Sequence, residues 1–231
     1  MSARYPVRER TFEARINRRW GIWRSVAPVF ARHGYRGVSI DQLASASALS
    51  PAGLYHYFPG KAAIALFPLS HANGLCHRWH SIAATLPSDP LVRIHALVAF
   101  AVECADPWRL ALDLAGQMSA DPRTAGPAAQ LLVEARRDFA EIAEDIDATI
   151  TPTDVGDLFE AFVGILVTDL PGFDRSPASL QRRLTDAVRG WLTRRGADVQ
   201  RFDQAAGSES HIGYELTSPS PGAGPASVGP L

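Results

Sequence analysis

The chain has 231 residues and a net charge of −1, which suits one small and one larger folded module and excludes a uniformly basic nucleic-acid coat. The average hides a split: nine arginines and Lys61 against Glu9, Glu13 and Asp41 leave residues 1–61 at +7 and residues 62–231 at −8. An N-terminal part that meets a polyanion, with an acidic remainder that stays clear of it, is the organisation this polarity implies.

Ile22, Val26, Val29 and Phe30 recur at helical spacing, and Arg32 and His33 ahead of Gly34 form a stop signal, which predicts a first helix. Pro28 inside it predicts a kink or a displaced start. Ser39 as N-cap, Asp41 and Gln42 in the first turn, and Ile40, Leu43 and Ala44 on one face predict a second helix of about two turns. Ser50 as N-cap, with Pro51 at the first helical position, opens a third short helix. Pro59-Gly60 marks a joint, after which Lys61 opens a connecting fourth helix that runs towards Trp79, interrupted at Pro68 and loosened at Gly74. Prolines then punctuate the chain, and the segments between them predict helices near 90–105, 107–119, 127–150, 153–170 and 177–195. No sustained period-two pattern appears, so the fold class is all-α. From about Gly207 the composition turns to Gly, Ser, Pro and Ala. The division expected is a small helical head over 1–61, a larger helical domain over 62–200, and a disordered tail over 201–231.

Cys76 and Cys104 make no disulfide framework and fit a reducing, cytoplasmic setting. The Arg-rich start lacks the apolar run of a signal peptide, and no stretch approaches the roughly eighteen apolar residues of a transmembrane helix, so no membrane association is expected.

Two short helices joined by a tight turn bury one apolar face and leave the second helix free to enter a major groove. The run Gly34-Tyr35-Arg36-Gly37-Val38-Ser39-Ile40-Asp41-Gln42-Leu43-Ala44, followed by Leu49-Ser50-Pro51-Ala52-Gly53-Leu54-Tyr55-His56-Tyr57-Phe58 and Gly60-Lys61, resembles the DNA-binding signature of the TetR family. That resemblance implies that Ser39 caps the second helix and touches phosphate. It implies that Ser50, Pro51, Ala52 and Gly53 face the groove, and that Tyr55, Tyr57 and Lys61 hold the DNA backbone. A reading helix with so few long polar side chains suits thymine methyls and groove shape, not a bidentate guanine contact, which gives Arg36 added weight. Val38 and Ala48 depart from the family's commoner hydroxyl residue and turn glycine, and Ala52-Gly53 replaces a glycine followed by a small residue. Leu54 and Phe58, at i and i+4, read as core.

The same resemblance implies an operator-binding homodimeric repressor, with no cofactor, whose helical domain takes a small-molecule effector that moves the fourth helix and separates two heads. Trp79, His95, Phe100, Cys104, Trp108 and Met118 are candidate walls for that ligand site, with ordinary core as the competing reading of each. Cys76, His77 and His80, with His71 further back, would bind metal only if their side chains converged. Val155, Leu158, Phe159, Phe162, Val163, Ile165 and Leu166, with Leu180, Leu184, Val188, Trp191 and Leu192, offer apolar stripes for an isologous interface. Control by a protein partner or a metal is the alternative. A helical ligand-binding enzyme is a weaker one: Gly60-Lys61 lacks the glycine and hydroxyl residue of a phosphate loop, and Leu49-Ser50-Pro51 lacks the flanking glycines of a nucleophile elbow.

Overall fold

Capping chemistry sets most of the helix starts in the computed structural model, which describes residues 5–70, 73–147, 149–167 and 176–208. Ser39 and Gln42 form a capping box (Gln42 N–H to Ser39 Oγ 3.2 Å, Ser39 N–H to Gln42 Oε1 2.8 Å) that opens α2, Ile40–Ala46. Ser50 accepts from Gly53 N–H at 3.1 Å and opens α3, Pro51–Tyr57. Ahead of both, α1 spans Tyr5–His33 and continues unbroken through Pro28, so the proline does not displace its start. An interior proline costs about 3 kcal/mol, but Ile22, Val26 and Phe30 on this helix are buried, each worth roughly 1.5–3 kcal/mol.

The expected fourth helix is broken. It divides into α4, Lys61–Ala65, a single 3-10 turn over Phe67–Leu69, and α5, Leu75–Ala83. Pro68 has no N–H to continue an α-helix, and Asn73 then restarts the chain: its Nδ2–H donates to Pro68 O at 2.7 Å and its Oδ1 accepts from Leu75 N–H at 2.6 Å. Gly74, at φ 76°, stands where a Cβ would come within 2.6 Å of Ile16 Cδ1 from α1. Asn73-Gly74 is a hairpin-type dipeptide, used here as the entry to a helix.

Then follow α6, Pro90–Glu103; α7, Ala105–Ser119; α8, Pro122–Ile146; α9, Pro152–Val167; and α10, Pro177–Arg194. These are the expected five, although α8 begins at Pro122 and not near 127, because Asp121 accepts from Arg123 N–H at 3.0 Å and caps it there. Among the described residues no strand occurs.

The tail expected from residue 201 is corrected at its start, which lies inside α11, Val199–Ser208. Phe202 is wholly buried; its ring stacks on His95 at 4.0 Å and its carbonyl accepts from His95 Nε2–H at 2.8 Å. A composition read over a long window misses one aromatic anchor with α-helical neighbours. Residues 209–231, the rest of that expected tail, lie outside the described residues.

Two apolar clusters form the core. One joins Trp79, Phe100, Phe139, Phe162, Leu184 and Trp191 in the helical body. The other joins Val26, Phe30, Leu43, Leu54 and Phe58 of the head to Ile64 and Phe67, and also to Leu114 and Met118 of α7. The expected division after residue 61 therefore does not coincide with a break in packing. Trp20 packs against both clusters, edge-on to Trp23 and Phe67, with its Nε1–H donating to Asn73 O at 2.9 Å.

Leu180, Leu184, Val188, Trp191 and Leu192, read in the sequence as facing a second copy, are buried inside one protomer, where α10 packs on α6 and α9. Spacing shows that a helix has an apolar stripe but not what covers it.

Ala48, between α2 and α3, has φ 53°, in the left-handed region where a Cβ costs roughly 1–2 kcal/mol. Ala48→Gly should raise stability by about 1 kcal/mol, the relief of that strain less the extra freedom of glycine in the unfolded chain. Urea unfolding followed by circular dichroism measures it, and a loss of stability would show that the turn is unstrained.

Candidate nucleic-acid interface and ligand cavity

The start of α3 is presented outward. Pro51, Ala52 and Ser50 are exposed, Gly53 is half-buried, and Tyr55 keeps 51% of its surface in solvent. Leu54 and Phe58 are buried, as their i, i+4 spacing requires. Ser39 and Arg36 are exposed beside α2. Both serine oxygens accept cap bonds, which leaves each hydroxyl hydrogen available to an outside acceptor.

Lys61 is differently employed from the backbone contact expected of it. Its Nζ–H groups donate to Tyr35 O at 2.9 Å and Val38 O at 2.8 Å, and the ammonium lies 4.4 Å from the Tyr35 ring centroid. Burial pushes its pKa below the usual lysine value. Two of its three donors thus clamp the α1–α2 turn.

Tyr57 is half-buried and also held from α1. Arg19 Nε–H donates to Tyr57 O at 3.1 Å, with its guanidinium 5.7 Å from the Phe58 ring, while the Arg18 guanidinium lies 5.9 Å from the Tyr57 ring. Neither arginine stands out in the sequence, because contacts across 38 residues leave no periodic trace.

On its other side the head is fastened to the body. Gln117 Oε1 on α7 accepts from Tyr35 N–H at 2.8 Å, and Gln117 Nε2–H donates to Asp113 at 2.9 Å. Gly34, at φ 67°, makes this possible, since a Cβ there would come within 2.7 Å of Gln117 Oε1. Arg36 lies 3.8 Å from Asp121, whose carboxyl is held down to about 2, chiefly by hydrogen bonds from Arg123.

A cavity of about 620 Å³, its open mouth included, lies between the Phe67–Leu69 turn, α5, α7, α8 and α9. Leu69, Trp108, Leu112, Phe139, Phe159 and Phe162 supply much of its wall. Its neutral polar groups are engaged within the protein: Trp108 Nε1–H donates to Pro68 O at 3.0 Å, Cys76 Sγ–H donates to Asp138 O at 3.6 Å, and Asn73 makes the bonds already given. Burial, followed by the charges of Asp138 and Glu141, pushes the Cys76 thiol up to about 12, so it stays protonated and is a poor nucleophile or metal ligand. Asp138 carries the wall's charged side chain.

Of the six residues expected from sequence at the ligand site, Trp108 alone reaches this wall. Trp79 and Phe100 pack edge-to-face in the body core, with Cys104 buried alongside. His95 is occupied by Phe202, and burial holds its pKa below the usual value. Met118 belongs to the head's core. Each has chemistry suited to a pocket, and that chemistry suits close packing equally. Cys76 faces the cavity while His80 is exposed; His71 and the His77 side chain lie outside the described residues. Among the described residues no three His, Cys, Asp or Glu side chains gather as a metal site, and no helix is long and apolar enough to cross a membrane.

A helix-turn-helix head seated on a helical, cavity-bearing body defines a class, the DNA-binding regulators of transcription. Residues 27–66, which hold α2, α3 and α4, match the family model of bacterial regulatory proteins of the tetR family. No curated protein matches the sequence significantly. Solved structures of similar fold include FadR of Thermus thermophilus, a TetR-family repressor in complex with lauroyl-CoA, at 18% identity over 75% of this chain and 93% of that one, TM-score 0.49. PfmR, also from Thermus thermophilus, shares 19% identity over 73% of this chain and 97% of its own, TM-score 0.45. The ketosteroid regulator KstR2 of Mycobacterium tuberculosis shares 16% over 76% and 93%, TM-score 0.46.

Lys61→Met should keep the stem's packing but remove the clamp, lowering stability by roughly 2 kcal/mol for charged hydrogen bonds to two carbonyls. Thermal unfolding measures it. Unchanged stability would leave the ammonium available for DNA, as the sequence alone suggests.

Proposed function

We propose that the protein is a cytoplasmic repressor that binds operator DNA as a homodimer and leaves it when an apolar small molecule fills the cavity. One observation carries this reading: α7 lines the cavity with Trp108 and Leu112, and within the next two turns completes the head with Leu114 and Met118 and holds Tyr35 through Gln117. A ligand that moves α7 moves the floor on which α2 and α3 sit. Ser39, Tyr55, Tyr57 and Arg36 would position the head on phosphates, and Ser50, Pro51, Ala52 and Gly53 would face the groove. A single reading helix this short buries too little surface for tight operator binding, which two-fold symmetry would double.

The ligand's class follows from the wall. Its neutral polar groups already have partners, so a ligand gains mainly by burying apolar surface. A space of this kind also favours a metabolite over control by a protein partner.

Binding can be tested by anisotropy on duplexes from the DNA flanking the protein's own gene, with sedimentation to give the stoichiometry. Two protomers per pseudo-palindromic site are expected; a chain that stays monomeric and binds none of these duplexes would refute the reading. A thermal-shift screen of apolar acids, alcohols and aromatic compounds should yield hits, since a ligand at a hundred times its Kd stabilises by about 2.7 kcal/mol. Ala135→Trp, which fills the cavity, should abolish such shifts. Gln117→Ala should still bind both DNA and ligand, with ligand-induced release of DNA weakened. Full release by the variant would remove Gln117 from the route.

A further inference from the structure

Residues 12–18 of α1 contribute little to the core: Ile16 alone among them is even partly buried. A helical stretch so solvated has little tertiary packing to hold it. Residues 1–19 carry six arginines against Glu9 and Glu13.

The charges nearest the head are not scattered. Arg19 sits against α3 through Tyr57 O and the Phe58 ring, and Arg18 lies over the Tyr57 ring. Arg15 is one turn before Arg19 on the same side of the helix. Arg15 and Arg18 are exposed, and neither has an ion-pair partner among the described residues. Burial, and then the charge of Arg15, pull Arg19 below its usual value, so the cluster holds like charges together against their repulsion. An anion beside them would relieve that repulsion, and their neighbour is α3, the helix proposed to meet DNA.

We propose that the exposed stretch of α1 ahead of Trp20 is a second contact surface for duplex DNA, in which Arg15 and Arg18 take phosphates flanking the stretch read by α3. Arg19 is a positioning residue that docks α1 on Tyr57. The inference rests on the head binding DNA. It assigns no sequence preference to these arginines, since phosphate contacts add affinity and register alone.

The test uses the full chain and a labelled mixed-sequence duplex of about 30 base pairs, on which nonspecific binding is electrostatic. Arg15→Gln with Arg18→Gln should lower the slope of log affinity against log salt by about 0.9 for each phosphate no longer neutralised, so by up to about 1.8. Arg182→Gln with Arg194→Gln removes equal charge from exposed positions on α10, in the body, and should leave the slope at the wild-type value. Equal helicity of both doubles by circular dichroism secures the comparison. A wild-type slope in the first double, or equal reductions in the two, would overturn the proposal. A wild type with no salt-dependent binding would instead defeat the DNA-binding reading beneath it.

Discussion

Leu114 and Met118 leave the body to finish the core of the head, and the arrangement of the whole molecule depends on that sharing. Two seven-residue helices and one face of α1 offer too little apolar surface to fix each other firmly, as small modules generally do. Phe30, Leu43 and Leu54 are sealed because α7 and the Phe67 turn press on them from below. The polar fastenings follow the same line. Lys61 clamps the α1–α2 turn from one side, and Gln117 holds Tyr35 N–H from the other. The outer face of α3 is left with small side chains, Tyr55 and His56 because its inner face does the packing.

Sharing a core gives α7 two loads. Trp108 and Leu112 form part of an apolar cavity, and the last turns of the same helix support the head. Close-packed interiors respond to added volume by discrete shifts and not by smooth yielding, so an occupant of the cavity and the orientation of α3 belong to one mechanical problem. The break between α4 and α5 adds to this. The Phe67–Leu69 turn gives Phe67 to the head's core and Pro68 and Leu69 to the cavity wall, which puts a backbone discontinuity between the two sites.

Local chemistry was legible in the sequence. Ser39 and Ser50 cap where their neighbours suggest, Leu54 and Phe58 are core, and Pro51, Pro90, Pro152 and Pro177 open helices. What depended on distant partners was not. Met118 reads as a soft pocket residue until the head is seen resting on it, and Leu184 and Trp191 read as an interface until α6 and α9 cover them. Phe202 is hidden among small residues, although one buried ring is enough to anchor α11 on His95. Lys61 matches a motif position whose usual role is contact with DNA, and the carbonyls of Tyr35 and Val38, invisible to pattern, claim two of its donors. The cavity draws on Phe139, Phe159 and Phe162 from two helices, a convergence that no single stretch displays.

The shared core also bears on how such a protein can be rebuilt. A chimera that joined this head to another regulator's body at residue 61 would cut through the cluster, leaving Phe30 and Leu54 without the side chains that seal them. The transplantable unit is discontinuous: residues up to about Leu69 together with the end of α7, from Leu114 through Met118. Recombination at the apparent module boundary would thus be selected against, and the head and α7 would be expected to change in concert, each substitution in one restricting the volumes tolerated in the other.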